Sequence, residues 1–199
     1  MDLFGAQPIE PIPTEVTVRS DADARRAVEH ARRSGLDIPS LELVDGDLCR
    51  SVTGTAADGA PEEAPRVDVV SVLLDGRPHW FVAHLVAREP RWRDRVVAVL
   101  NTPWIGGRAA APGVDPADGE LDVFDGLLSA SERRRLRAVR SSDRPWPERD
   151  GRWRRASAID IELGRPTPIW LDGEEVGKAW YLSIRVEPGA ARYRRDAAS

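Results

Sequence analysis

Apolar positions along the chain fall into two regimes. Between Asp21 and Arg33, Ala24, Ala27, Val28 and Ala31 recur at steps of three and four, which marks one face of a helix. Ser20 and Asp23 form an S-x-x-D capping box at its start and Gly35 supplies a stop. Short apolar runs flank it, Glu15 to Val18 before and Leu41 to Val44 after, the second ending in an Asp45-Gly46 turn. These make a small β-α-β unit. From Val67 onward the pattern is one of short strands. Val67 to Leu74 and His79 to Val86 read as a hairpin about Asp75-Gly76. Arg95 to Leu100, Glu120 to Phe124, Ala156 to Leu163, Pro168 to Leu171 and Trp180 to Val186 add further strands, a series that suits a β-sandwich. One helix interrupts it, opened by a second capping box at Ser129 and Glu132 and running through Arg140.

Two stretches fit neither regime. Residues 1–15 are rich in Pro and read as an extended arm, and residues 54–65, GTAADGAPEEAP, read as a linker. The expected fold class is therefore α+β, mainly β-sandwich, with an α/β unit over residues 1–60 and the sandwich over 61–199.

Composition narrows the function classes. The chain has 199 residues, 41% hydrophobic, enough for a sizeable core. Cys49 is the only cysteine, so no internal disulfide can form, and three scattered His residues make no zinc pattern. No apolar run approaches the roughly 18–20 residues that cross a bilayer, and the opening residues lack a signal-peptide pattern, so a cytoplasmic location is expected. The formal charge of −4 is uneven: residues 1–128 carry 13 basic and 22 acidic side chains, residues 129–199 carry 16 and 11. Residues 133–155 hold ten Arg with Trp146 and Trp153. That composition reads first as an exposed helix and loop in an Arg-rich protein, and next as a segment suited to an anionic membrane surface. No reader motif for nucleic acid is present, and none is expected as a partner.

Three further stretches are more specific. They are Gly106-Gly107 followed by Ala111-Pro112-Gly113-Val114-Asp115-Pro116-Ala117-Asp118-Gly119-Glu120-Leu121-Asp122-Val123, then Ile169-Trp170-Leu171-Asp172-Gly173-Glu174, then Arg185-Val186-Glu187-Pro188-Gly189-Ala190. Their order and spacing resemble the C-terminal domain of the bacterial diacylglycerol kinase-like lipid kinases, relatives of the sphingosine kinases, over about residues 66–191. The resemblance extends faintly upstream, to a trimmed and degenerate nucleotide domain. Where the family has a GGDGT loop, this chain has Arg19-Ser20-Asp21-Ala22-Asp23, keeping only Asp21. Where it has GTGND and then Arg, this chain keeps Asp47 and Arg50.

The resemblance implies roles residue by residue. Asp172 matches the general base that takes a proton from the lipid hydroxyl, with Glu174 beside it. Asp118 matches an Asp that helps hold a structural magnesium ion, with Asp115 and Glu120 placed to offer carbonyls. Hairpin turns without chemistry fit both sets of residues as well. Asp21, Asp47 and Arg50 mark what is left of the nucleotide loops. A phosphate loop needs glycine because backbone N–H groups must approach the phosphates closely. Arg19, Ser20 and Ala22 take that freedom away, and Asp23 adds a negative charge. Two like unit charges 4 Å apart cost about 4 kcal/mol at an effective dielectric near 20. ATP held in the family's manner is therefore not expected. The functional expectation is a non-catalytic lipid-binding or regulatory module, alone, as a homo-oligomer or with a complete lipid kinase. The alternative is an active ATP-dependent kinase for diacylglycerol or a related lipid alcohol.

Overall fold

A computed structural model describes residues 14–53, 65–92, 94–138 and 152–195. The expected arm over 1–15 lies outside them except for its last two residues. The linker lies outside except for Pro65, as do residues 139–151 of the Arg-rich segment.

The N-terminal unit forms as its pattern predicts. Strand β1 (Glu15–Val18) leads into helix α1 (Asp21–Ser34), and β2 (Ser40–Leu43) returns to pair with β1 in parallel. Ser20 Oγ accepts from Asp23 N–H at 3.1 Å, and Gly35 ends the helix at φ 67. Helix α2 (Asp47–Thr53) follows where only a turn was expected.

The β-rich part contains β3 (Arg66–Leu74), β4 (Arg77–Phe81), β5 (His84–Ala87), β6 (Arg95–Leu100), a small hairpin of β7 (Trp104–Ile105) and β8 (Arg108–Ala109), and β9 (Leu121–Leu127). Helix α3 (Ala130–Ala138), β10 (Trp153–Ala156), β11 (Ala158–Leu171) and β12 (Glu174–Arg195) complete it. The main sheet runs β1-β2-β12-β11-β5-β6-β9-β10, with β3 paired to β12 and β4 to β3.

Several boundaries differ from expectation. The strand expected from His79 to Val86 is broken at Val82-Ala83, whose amides turn onto the Asp172 carboxylate. The separate runs expected over 156–163 and 168–171 form one strand, β11, from Ala158 onward, Ala156 ending β10, with a register shift between Glu162 and Thr167 that contains Gly164 at φ 75. Strand β12 is 22 residues long and holds both the sandwich and the N-terminal unit: Leu182 to Glu187 pair with β3, and Tyr193 to Arg195 pair with β2.

Three buried clusters hold the molecule together. The main core takes alternate residues from the sandwich strands, among them Val72, Phe81, Leu85, Val97, Val99, Val123, Ile169, Leu171, Leu182 and Ile184. A second joins Val28, Leu41, Leu43 and Leu48 to Val67, Val69, Val82, Ala83 and Ala191, so the N-terminal unit packs on the sandwich rather than hanging from it. A third covers the other face of β5, β6 and β9 with Ala110, Ala111, Val114 and Leu128. Both faces of β6 are thus buried, which is why RVVAVL reads as a continuous apolar run. Trp180, within β12, is 53% exposed.

Candidate functional site

The first turn of α1, the start of α2, the β4–β5 break and the β11–β12 turn meet at one place. Asp21, Asp47, Arg50, Asp172 and Glu174, expected from separate motifs, all lie there.

Asp21 begins α1 but its carboxylate serves α2. It accepts from Asp47 N–H at 2.7 Å and Leu48 N–H at 2.9 Å, supplying donors at a helix start with an acceptor from a distant segment. Gly46 makes the approach possible: at φ 119, a Cβ there would lie 2.6 Å from Asp21 Oδ1. Burial pushes the Asp21 pKa up to about 6, against the two amide bonds.

Asp47 repeats the arrangement one step further on. Its carboxylate accepts from Gly106 N–H at 2.5 Å and Gly107 N–H at 2.7 Å, tying α2 to the β7–β8 hairpin. Arg50 reaches it at 3.2 Å and Asp45 at 2.9 Å. His84 Nδ1 lies 3.7 Å from Asp47 Oδ2. Burial holds the histidine pKa below its ordinary value, although the Asp47 charge pulls it upward.

Asp172 is 6% exposed and sits at φ 49 in the β11–β12 turn. Its oxygens accept from Val82 N–H at 3.0 Å, Ala83 N–H at 2.9 Å and His84 N–H at 3.0 Å. Its own N–H donates to His84 O at 2.9 Å. Burial, then the charge of Asp21, pushes its pKa up to about 8 despite the three amide donors. Glu174 faces the other way, onto α1. It takes Arg25 at 2.5 Å and Arg26 at 2.7 Å, and the Arg26 contact holds its carboxyl below the usual range. Arg25 also meets Glu29 at 3.3 Å with its side chain only 7% exposed.

The start of α1 is filled by bonds among its own residues. Besides the Ser20 bond, Asp23 Oδ2 accepts from Arg19 N–H at 3.1 Å, and both Asp23 N–H and Ala24 N–H donate to Ser20 O at 3.1 Å. Arg26 and Ser20 keep the Asp23 carboxyl ionised, its pKa below the ordinary value.

Asp115, Asp118 and Glu120 belong to a different region, the turn before β9. Asp118 Oδ1 accepts from Glu120 N–H at 3.0 Å and its Oδ2 takes Arg155 at 2.5 Å. Arg155 is also 3.1 Å from Glu120 and 3.7 Å from Asp122, while Asp115 accepts from Ala117 N–H. Arg155 thus balances the charge that a magnesium ion would balance. Among the described residues no three His, Cys, Asp or Glu side chains group as metal ligands.

Residues beyond the motifs complete these regions. Asp68, fully buried, accepts from Gly119 N–H and Gly189 N–H at 2.7 Å each, pinning the turn before β9 to β12. Its only trace in the sequence is one acid inside an apolar run. His79 and His84, expected on one strand, lie on two: His79 faces Glu29 at 3.5 Å, and His84 belongs to the Asp47 cluster. Of the Arg-rich segment, Arg133, Arg152, Arg154 and Arg155 meet protein acceptors while Arg134 is exposed, and Trp153 packs on Phe124 at 5.4 Å. Trp146 lies outside the described residues.

Comparison with solved structures identifies the architecture. A diacylglycerol kinase from Bacillus anthracis str. Sterne superposes with a TM-score of 0.66 at 18% identity, over 93% of this chain and 78% of that one. The fold is that of the diacylglycerol kinases. Two more structures from the same bacterium, provisionally assigned that activity, give TM-scores of 0.62 and 0.61 at 17% and 16% identity. They cover 94% and 92% of this chain and 78% of each of theirs. No family model matches the sequence, and no curated protein matches it. Among the described residues no helix is long and apolar enough to cross a membrane.

Proposed function

We propose that this chain is a non-catalytic lipid-binding or regulatory module built on the lipid-kinase fold. The observation that carries the reading is the closed start of α1. Where a phosphate loop would present bare N–H groups, the amides of Arg19, Asp23 and Ala24 are occupied, and the ionised Asp23 stands among them. A triphosphate would have to displace these bonds and meet that carboxylate. Asp172 points the same way: its oxygens are spent on three backbone amides, so a lipid hydroxyl would have to compete for them.

Calorimetric titration with Mg-ATP tests this. No saturable heat is expected into the millimolar range, and tight saturable binding would overturn the reading.

One observation favours the alternative, an active kinase for diacylglycerol or a related lipid alcohol. Asp21, Asp47 and Asp172 remain together, and Asp172, with its pKa raised to about 8, has the proton affinity of a general base near neutral pH. Labelled ATP incubated with diacylglycerol vesicles separates the two. Transfer that disappears in Asp172→Asn would establish the enzyme, whereas no transfer is expected on the reading preferred here.

A further inference from the structure

Arg88 follows β5, and its N–H donates to Pro168 O at 3.1 Å, which places it beside Trp170 on the neighbouring strand. Its guanidinium lies 4.0 Å from the centroid of the Trp170 ring and 4.5 Å from that of Trp92. Trp92 closes a 3-10 turn, Pro90–Trp92, at φ 58. A bulky residue adopts that left-handed conformation only at a cost, and the turn sets its indole against the Arg88 guanidinium. Burial draws the Arg88 pKa below its ordinary value, with Glu175 the charge that opposes the fall.

Among the described residues no oxygen accepts a hydrogen bond from this guanidinium and no carboxylate lies within 4.0 Å of it, Glu175 acting on it only at longer range. Arg25, Arg50, Arg95, Arg152 and Arg155, by contrast, each hold an acid. The two indoles sit against the guanidinium but offer nothing to its in-plane N–H groups, which need an oxygen acceptor. A guanidinium fixed by stacking, partly desolvated and without an oxygen partner, is pre-organised for a ligand that brings two oxygens to its edge.

We propose that Arg88, held by Trp92 and Trp170, is a receptor for a phosphate group. Phosphate suits it better than a carboxylate because its second negative charge is worth more beside a partly desolvated cation. The indoles are equally at home against a soluble phosphoester and among lipid headgroups. This site goes beyond the function proposed above: it is separate from the start of α1 and stands whether or not the chain binds ATP.

The test uses the full chain and four probes: inorganic phosphate, glycerol 3-phosphate, phosphatidylcholine vesicles, and the same vesicles with phosphatidic acid. Binding is followed by calorimetry for the soluble probes and by co-sedimentation for the vesicles. Saturable binding is expected, and Arg88→Lys, which keeps the charge but loses the planar fork, should weaken it at least tenfold. Trp92→Leu, which keeps the fork and removes one ring, should weaken it several-fold and serves if the Lys variant fails to fold. Binding of the soluble phosphates identifies a phosphoester ligand. Binding confined to vesicles with phosphatidic acid identifies a lipid headgroup. The proposal is overturned if no probe binds, if plain phosphatidylcholine vesicles bind as well as those with phosphatidic acid, or if Arg88→Lys binds as the parent does.

Discussion

Asp21, Asp47, Asp68, Asp75 and Asp172 share one habit: each carboxylate receives two or three backbone N–H groups from segments far away in the chain. Charged acceptors make stronger bonds to amides than neutral ones, but burial makes the charge costly. Stability should therefore depend on pH in a way that can be worked out for Asp172. Its folded pKa, about 8, lies above the ordinary carboxylate value of 3.8, so the folded state binds the proton more tightly. Its contribution is fully present below about pH 4 and is lost as pH rises through 8. Asp21, raised to about 6, acts mainly below that pH, and His84, with its lowered pKa, acts mainly below 6.5. The range from pH 6.5 to 8.5 thus isolates Asp172. The thermal midpoint should fall across it, and Asp172→Asn should flatten the slope; an unchanged slope in the variant would contradict the assignment. Gly46→Ala should cost about 2 kcal/mol or more, because φ 119 and the 2.6 Å approach to Asp21 strain any Cβ. Gly76→Ala, with φ 83 and nothing within 4 Å, should cost less in the same denaturant titration.

At the scale of elements, α1 is held to the β11–β12 turn by the Arg25 and Arg26 contacts to Glu174. Removing the carboxylate leaves Arg25 buried with only Glu29 beside it, whereas Arg26 is half-exposed and loses little. Glu174→Ala should destabilise by about 1–3 kcal/mol, with Arg26→Ala well below that, both measured by urea unfolding. How legible an element was follows from where its caps come from. Helix α1 and helix α3 carry their own capping boxes, Ser20 with Asp23 and Ser129 with Glu132, and both form where the pattern puts them. Helix α2 takes its cap from Asp21, 26 residues earlier, so no local signal announced it. The β4–β5 break is missed for the same reason, since its cause is Asp172.

For the whole molecule, the decisive element is β12. Its first part closes the sandwich against β11 and β3, and its last residues pair with β2. The second buried cluster draws on the N-terminal unit and the sandwich together. Unfolding by urea should therefore be a single transition, with tryptophan fluorescence and far-UV circular dichroism coinciding. Two separated transitions would show the two parts to be independent.

The chain's own residues were enough for the α+β class, the capped helices and most strands, because periodicity, capping and Asp-Gly turns are local and act through neighbours in sequence. The motifs also singled out Asp21, Asp47, Arg50, Asp172 and Glu174. That these five meet, and that the four carboxylates among them are spent on amides and arginines, was decided by tertiary structure alone. So were the burial of Asp68, the Arg155 contacts around Asp118 and the Trp170 ring against Arg88. Each depends on segments tens of residues apart arriving at one place, and the burial that raises a carboxyl pKa to about 8 exists only after they have arrived.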